Sequence, residues 1–391
     1  MSRDNPVAVL FTQQFVGLNT RKTGMVFWAE TLARLGFDTY AVTVQLSALS
    51  RLAGSPRLKA VPKEDLNIWR QRGEQLFGFV WVAPLHPARL GSSFLNRAAE
   101  RVYALYPWFL PEAVREVVRK ADLIVIESCA AVLLFETLRS LAPKRAKIVY
   151  CASDRLGTVG MHPMLADTLA RTATSYDLIG VPAKAMIGDF PSSARVAFIP
   201  HGIDKAAFSE LPPSPFESSG PHVVVAGDML FDAAALDVLL DAFPDVTFHA
   251  FGRMNLDTTG ARPNLRVHGE VPFAALAGHL LHADVGFAPY LDRPEAHYLV
   301  ESSLKLIQYT YCRLPIVAPH FASAGRPHVI GYGTDDPASI VQALKRALAY
   351  DRTTIDARGV VSWEEVIACM LKAVALQTFV ETPIVRAAAT A

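Results

Sequence analysis

The chain has 391 residues, of which 51% are hydrophobic and 19% are charged. This length exceeds one ordinary hydrophobic core and suits two domains, and the composition excludes a disordered chain. The formal charge is +1, which argues against a nucleic-acid-binding protein with a basic surface throughout. The two halves differ in charge, however: residues 1–203 hold 24 Lys/Arg against 16 Asp/Glu, and residues 204–391 hold 14 Lys/Arg against 21 Asp/Glu. We therefore expect the two halves to meet different partners.

The first residues run directly into an apolar segment and lack the layout of a secretion signal. No window of 18 apolar residues is free of charge, so we expect no membrane-spanning segment. The four cysteines have no paired spacing, which is typical of thiols in a reducing compartment. These features predict a cytoplasmic protein.

Short apolar runs alternate with longer amphipathic segments, which is typical of a parallel sheet covered by helices. In the first half this pattern predicts strands at Val7–Thr12, Thr39–Val44, Phe79–Ala83, Leu123–Glu127, Ile148–Cys151, Leu178–Val181 and Val196–Ile199. It predicts helices at Gly24–Leu35, Leu95–Ala104, Pro111–Lys120 and Ala131–Leu141. Residues 45–77 are interpreted as a helix and a loop.

A stretch rich in Pro, Ser and Gly at residues 200–220 is interpreted as an interdomain linker. Beyond it, strands are predicted at His222–Ala226, Thr247–Phe251, Leu265–His268, Val285–Ala288 and Ile316–Ala318. Helices are predicted at Ala233–Phe243, Phe273–His282, Ser302–Tyr311, Ala338–Leu348 and Trp363–Leu376, followed by a frayed tail over the last ten residues.

This order predicts an α/β protein with two Rossmann-like, doubly wound domains. The first domain comprises residues 1–203, the second residues 204–355, and residues 356–391 form a helix and tail that pack back toward the first domain. Two such sheets facing each other place the carboxyl ends of their strands, and therefore ligands, in the cleft between them.

The helix predicted from Ser302 carries the strongest binding signal. Ser302 and Ser303 open it, so its unpaired amides and its dipole favour a diphosphate at this end. Lys305 adds a positive charge for a phosphate oxygen, and Gln308 lies on roughly the same face for ribose hydroxyls. The alternative is an ordinary capped helix with a solvated lysine.

Two further positions are candidates for the donor site. Tyr290 follows a buried strand that breaks at Pro289, where α/β proteins present residues to ligands. Met229 follows Gly227 in a strand-turn-helix segment and offers a soft surface for a base or sugar. Each also fits a structural role, as a core tyrosine or an ordinary turn.

Asp154 follows the strand Ile148–Cys151 and is the candidate general base of a sugar transferase, because an inverting reaction needs a carboxylate to deprotonate the acceptor hydroxyl. It also suits the N-cap of a following helix. Glu127, at the end of a neighbouring strand, is the competing base, and His86 and Asp189 are weaker candidates. The eleven histidines show no metal-ligand spacing, and no GxGxxG follows the first strand, so we expect neither a metal nor a dinucleotide cofactor.

Several stretches together resemble glycosyltransferase family 70, the GumK-like glucuronosyltransferases of the xanthan pathway. The matching stretches are 85–87, 122–128, 152–156, 227–232, 246–249 and 288–309, in the same order as in the family. Three positions depart from the family pattern: Leu304 replaces methionine, Asp189 replaces glutamate, and Arg155 replaces a small residue.

The resemblance implies a GT-B fold and metal-independent inverting transfer of glucuronic acid from a UDP donor to a lipid-linked oligosaccharide in exopolysaccharide synthesis. It assigns Asp154 as the base and the donor-binding positions to the residues Met229, Tyr290, Ser302, Ser303, Leu304, Lys305 and Gln308. No cofactor is implied, since the UDP-sugar is a substrate. Arg155 and Arg253 are the cations nominated for the glucuronate carboxylate.

The implied acceptor suggests a peripheral protein on the cytosolic face of the inner membrane. The basic first half suits an anionic surface, and the aromatic and basic stretch from Arg101 to Arg115, with Tyr103, Tyr106, Trp108, Phe109 and Leu110, either contacts headgroups or forms helix core. Three other functions stay open: a retaining transferase similar to family 4, a nucleotide-sugar epimerase or hydrolase, and a non-catalytic donor-binding subunit.

Overall fold

The structure is a computed structural model that describes residues 5–18, 22–254, 256, 262–323 and 325–376. Its strands form two separate sheets. The first sheet contains β1 Val7–Thr12, β2 Asp38–Ser47, β3 Trp69–Gly73, β4 Leu76–Ala83, β5 Leu123–Glu127, β6 Lys147–Cys151, β7 Leu178–Val181 and β8 Val196–Phe198. The second contains β9 His222–Ala226, β10 Thr247–Phe251, β11 Leu265–Gly269, β12 Val285–Phe287, β13 Ile316–Pro319 and β14 Val329–Tyr332.

Both sheets are doubly wound. The first has the strand order β3-β4-β2-β1-β5-β6-β7-β8 and is parallel except for the β3–β4 pair. The second has the order β11-β10-β9-β12-β13-β14, and all its pairs are parallel. In each sheet the strand order reverses direction beside the first strand, β1 or β9, which places a crevice at the carboxyl ends of the central strands. The predicted pair of doubly wound sheets is confirmed.

Helices cover the faces of both sheets. They are α1 Gly24–Arg34, α2 Ala48–Leu52, α3 Pro56–Lys59, α4 Ser93–Tyr103, α5 Glu112–Val118, α6 Phe135–Leu141, α7 Pro163–Thr172, α8 Ala233–Ala242, α9 Phe273–His282, α10 Leu299–Ser302, α11 Leu304–Tyr311, α12 His320–Ser323, α13 Pro337–Leu348 and α14 Trp363–Ala373. Because the central strands are covered on both sides, they are apolar almost throughout: every residue of β5 and β9 is buried.

Strands β3 and β14 and helices α7, α10 and α12 were not predicted from the sequence. Strand β3 lies within residues 45–77, interpreted as a helix and a loop, and none of its residues is fully buried, so it carries no apolar pattern. Strand β14 has four residues, one of them a glycine. Helix α7 buries only Leu165, Thr168 and Thr172, a stripe too narrow to predict a helix.

The chain passes between the two halves at two adjacent places. The amide of Ile203 donates to the carbonyl of Val361 (3.0 Å), and the amide of Trp363 donates to the carbonyl of Ile203 (3.2 Å). Helix α14 then packs on α1 of the first half, where the Trp363 ring stacks on Phe27 with centroids 5.4 Å apart. The frayed tail expected over the last ten residues lies outside the described part of the chain.

Among the residues that the structure describes, no helix has the length and apolarity needed to cross a membrane.

Candidate active site

A cavity of about 320 Å³ lies between the two sheets, at the carboxyl ends of their central strands. The first half contributes Glu127, the last residue of β5, and Asp154, which follows the neighbouring strand β6. The second half contributes Gly227, Lys305 and Gln308. The structure therefore brings the expected base and the expected diphosphate site to one cavity.

Asp154 is a half-buried carboxylate at the mouth of this cavity. The Tyr298 hydroxyl, from the second half of the chain, donates to its Oδ1 atom at 2.8 Å, and its own amide donates to the Ser128 hydroxyl. Burial raises the pKa of Asp154 to about 6, and the Tyr298 hydrogen bond opposes that rise. A carboxylate that titrates near neutrality fits a general base. Asp154 does not cap a helix, because the next helix, α7, begins at Pro163.

Glu127 lies deeper in the same wall. Its Oε2 atom accepts hydrogen bonds from the Thr12 hydroxyl (2.5 Å) and the Gln13 amide (3.0 Å). Burial raises the pKa of Glu127 to about 7, and the negative charge of Asp154 adds to the rise. The Oε2 atom of Glu127 is therefore occupied by hydrogen bonds from the end of β1 and the loop after it, whereas Asp154 faces the opposite half of the chain. This difference favours Asp154 as the residue that meets an acceptor hydroxyl.

The helix expected from Ser302 begins two residues later, at Leu304, which corrects the prediction. Ser302 ends α10 and its hydroxyl donates to the Tyr298 carbonyl, whereas Ser303 is the N-cap of α11 and accepts from the Leu306 amide. The partly buried ring of His201 lies 2.7 Å from the Ser302 carbonyl and donates to it through Nδ1. This contact from the interdomain segment fixes the turn between α10 and α11, so the amide end of α11 faces the cavity.

Lys305 lies at this amide end. Its Nζ atom donates to the Gly227 carbonyl (3.4 Å) and lies 4.6 Å from the centre of the Tyr290 ring. The Tyr290 hydroxyl is in turn 2.5 Å from the Ser303 hydroxyl. Gly227 has φ +81°, which allows its backbone to approach the Lys305 chain closely. These contacts hold an ammonium group beside the amide end of α11, an arrangement suited to a diphosphate.

The remaining donor candidates line the same cavity. Met229 is 40% exposed, so its side chain is available to a ligand, whereas Gln308 is largely buried. Leu304 lies between Ser303 and Lys305 in the cavity wall.

His86 and Asp189 lie away from the cavity walls. His86 contacts the Ser47 hydroxyl at 2.9 Å, and burial lowers its pKa to about 4. Asp189 accepts two hydrogen bonds from the Arg155 guanidinium, at 2.7 and 3.0 Å. Neither side chain lines the cavity that holds Asp154 and Lys305.

Sequence reasoning missed three residues of the site: Tyr298, His201 and Lys22. Tyr298 acts across about 140 positions of chain on Asp154, and no local pattern signals that contact. His201 lies in the stretch interpreted as an interdomain linker, where no site residue was expected. Lys22 lines the cavity from the loop before α1.

Comparison with known proteins gives a consistent result. Residues 10–182 match the family described as glucuronosyltransferase GumK, N-terminal domain. A protein of Xanthomonas campestris pv. campestris, UDP-glucuronate:glycolipid 2-beta-glucuronosyltransferase, is 31% identical over 345 residues, which cover 88% of this chain and 84% of the relative.

Solved structures share the fold. An alpha,alpha-trehalose-phosphate synthase (UDP-forming) from Burkholderia xenovorans matches with a TM-score of 0.56 and 12% identity, covering 96% of this chain and 98% of the other. A glycosyltransferase involved in avilamycin A biosynthesis matches with a TM-score of 0.51 and 12% identity, covering 95% and 97%. Together with the two facing sheets, these matches confirm the predicted GT-B fold.

Proposed function

Since the chain belongs to the GumK glucuronosyltransferase family, we propose that it transfers glucuronic acid from UDP-glucuronate to a glycolipid acceptor in polysaccharide synthesis. The chain is a glycosyltransferase; the donor, the acceptor and the stereochemistry are the proposal. The observation that carries it is the shared cavity, with Asp154 on one wall and the amide end of α11 with Lys305 on the other.

The donor diphosphate lies against the amide end of α11. Lys305 and the helix dipole supply positive charge to the leaving UDP, and no metal ion is needed there in this proposal. Met229 and Gln308 contact the nucleoside, and Tyr290 positions Lys305 through the face of its ring.

Asp154 acts as the general base of an inverting reaction. Its carboxylate takes the proton of the acceptor hydroxyl while that oxygen attacks the anomeric carbon and the bond to UDP breaks on the opposite face. The hydrogen bond from Tyr298 keeps part of the Asp154 population ionised despite burial, because it lowers the pKa that burial raises. Since Tyr298 comes from the other half of the chain, the hydrogen bond that lowers the pKa of Asp154 depends on the relative position of the two sheets.

The carboxylate of glucuronate requires a cation in the cavity. Arg155 and Arg253, which were nominated from the sequence, do not line the cavity described. Arg155 is paired with Asp189, and Arg253 with Glu270 at 2.7 Å. Lys22 does line it, paired with Glu30 at 2.7 Å, and replaces them as the candidate.

The outer face of α4 supports contact with a membrane surface. The helix and the turn after it expose five large apolar side chains at helical spacing: Phe94, Leu95, Val102, Leu105 and Trp108. Phe94 is 78% exposed and Trp108 80%, and Arg97 and Arg101 are exposed beside them. An apolar helix face flanked by arginines is typical of segments that lie in the interface of an anionic bilayer.

This surface differs from the one expected. Tyr103, Tyr106 and Leu110 are buried, which matches the helix-core alternative for these residues. The Arg115 guanidinium donates to the carbonyls of Leu110 and Pro107, so it stabilises the turn after α4. Of the aromatic residues in that stretch, Trp108 is the exposed one.

Incubation with a panel of UDP-sugars and a lipid-linked oligosaccharide tests the transfer. We expect glucuronate in the product, linked with the configuration opposite to that in the donor. Asp154→Asn should keep UDP binding and lower transfer by about 100-fold or more, the scale of a lost general base. Retained configuration would instead indicate a retaining enzyme, and release of free sugar without acceptor would indicate a hydrolase.

Sedimentation with vesicles tests the membrane contact. The wild type should sediment with vesicles rich in anionic lipid, and a Phe94→Asp/Trp108→Asp variant should stay in the supernatant. Leu211→Asp is the control, because Leu211 is 70% exposed in the interdomain segment. Equal sedimentation of the two variants would contradict a role for the outer face of α4.

A further inference from the structure

Three histidines of the second half meet beside α9. His249 lies in β10, His268 in the edge strand β11, and His279 in α9. One ring nitrogen from each lies within 4.8 Å of the other two. The Nδ1 atom of His249 and the Nε2 atom of His268 are 3.0 Å apart, which is close to the separation of two nitrogens bound to one metal ion at about 2.0–2.1 Å each.

The outer hydrogen bonds of this cluster determine which nitrogens carry protons. The Nδ1 atom of His279 lies 2.8 Å from the Ala275 carbonyl, which can only accept, so Nδ1 donates and Nε2 keeps its lone pair. The same reasoning applies to His222, whose Nε2 atom lies 3.0 Å from the Ser218 carbonyl. His222 must therefore accept through Nδ1.

His249 completes this chain of hydrogen bonds. Its Nε2 atom lies 3.1 Å from Nδ1 of His222 and must donate to it, which leaves the lone pair on Nδ1 of His249. That lone pair points toward His268. Histidine ligands of metal ions characteristically donate their second ring nitrogen to a carbonyl or another acceptor, and His249 and His279 both have this arrangement.

We propose that His249, His268 and His279 form a binding site for a divalent transition-metal ion of the zinc type. Imidazole nitrogens suit zinc, and three of them with one open position for water complete a tetrahedral site. His249 is buried, whereas His268 is exposed on the edge strand, so the ion has a path from solvent. The charged neighbour is Arg266, whose guanidinium donates to the carbonyls of Pro263 and Leu265.

The site is separate from the proposed transfer reaction but adjoins its cavity. The ring of Phe251, which lines the cavity, stacks on His268 with centroids 4.4 Å apart. Gly269 and Glu270 follow His268 directly and also line the cavity. A bound ion would therefore link β10, β11 and α9 beside the cavity wall formed by Phe251, Gly269 and Glu270, and its role is structural.

The test uses the full chain without a histidine tag. The chelator-treated protein is titrated with Co²⁺ and followed by visible absorption, and the Zn²⁺ retained after gel filtration is measured by elemental analysis. We expect one equivalent of Zn²⁺ and the intense bands of four-coordinate Co²⁺. His222→Ala should weaken binding roughly 10–100-fold as an outer partner, and His268→Ala and His279→Ala should each weaken it further.

His282→Ala is the matched control. His282 lies in the same helix α9, but its ring donates to the Pro212 carbonyl at 2.7 Å, away from the cluster. His282→Ala should bind like the wild type, and Zn²⁺ should raise the unfolding temperature above that of the same protein in chelator only where the three ligands are intact. Absence of stoichiometric retention by the wild type would overturn the proposal, since the imidazoles would then form only a neutral network. Equal retention by the His268→Ala/His279→Ala double variant would overturn it as well.

Discussion

Tyr298→Phe isolates the contact that sets the proposed base. The substitution removes the hydroxyl that donates to Asp154 at 2.8 Å but keeps the ring, which packs 5.2 Å from the Arg155 guanidinium. A hydrogen bond to a charged group contributes about 1.5–3 kcal/mol. Asp154 is only half-buried, so water replaces part of the lost interaction, and we take about 1.5 kcal/mol, which corresponds to about one pKa unit.

The direction of the change in activity follows because a general base acts in its ionised form. The hydrogen bond lowers the pKa of Asp154, so its loss raises that pKa from about 6 to about 7. Activity then rises at higher pH: kcat/KM should fall about fivefold at pH 6 and be nearly unchanged at pH 8.

Initial rates of transfer across this pH range measure the effect. Tyr332→Phe serves as the control, because it removes a buried tyrosine hydroxyl in the second half, away from Asp154. An acidic limb that stays in place in Tyr298→Phe, or moves to lower pH, would refute the assignment of that limb to Asp154.

Three other substitutions test the site and the packing behind it. Lys305→Ala should weaken UDP binding about 10–100-fold in titration calorimetry, because one charge-assisted hydrogen bond to the diphosphate is lost. Lys345→Ala, which removes an exposed lysine, is the control and should bind UDP like the wild type. Equal affinity of the two variants for UDP would rule out the phosphate role of Lys305. Burial raises the pKa of Glu127 from 4.5 to about 7, so its stabilising protonation is complete below pH 4.5 and is lost as the pH rises through 7. Glu127→Gln should therefore raise the free energy of unfolding at pH 8 by up to about 3 kcal/mol and leave it nearly unchanged at pH 4.5. Urea unfolding at the two pH values measures this, and the same increase in the free energy of unfolding at both would contradict the prediction. Gly286→Ala should destabilise the fold by about 1–3 kcal/mol in urea unfolding, because its new Cβ would lie 2.3 Å from the Tyr309 ring. Gly359→Ala is the control, because a Cβ at that position meets open space. Equal stability of the two variants would refute the predicted clash.

The sequence predicts the sheets well because their strands are buried on both faces. Continuous apolar runs such as Val7–Thr12 and Leu123–Glu127 mark them directly, whereas the exposed edge strand β3 carries no such signal. Asp154 and Glu127 could be nominated because a polar residue at the end of a buried parallel strand has to face the crevice.

The pairings within the site could not be predicted in this way. The bond from Tyr298 to Asp154 and the meeting of His249 with His268 and His279 depend on how distant segments pack, and no local spacing encodes that. The predicted start of α11 is wrong by two residues for a similar reason. The turn before α11 includes the Ser302 carbonyl, which accepts a hydrogen bond from His201, about 100 positions earlier in the chain.

The paired crossings at Ile203 and Val361 bear on how substrates enter and leave. Because the two connections lie side by side and are hydrogen-bonded to each other, we expect any rotation of the halves to bend both at the same place. Helix α14 stacks on Phe27 of the first half, so this helix would move with the first half in such a rotation. Such a rotation would part Tyr298 from Asp154, so the proposed base has this hydrogen bond only when the halves are together.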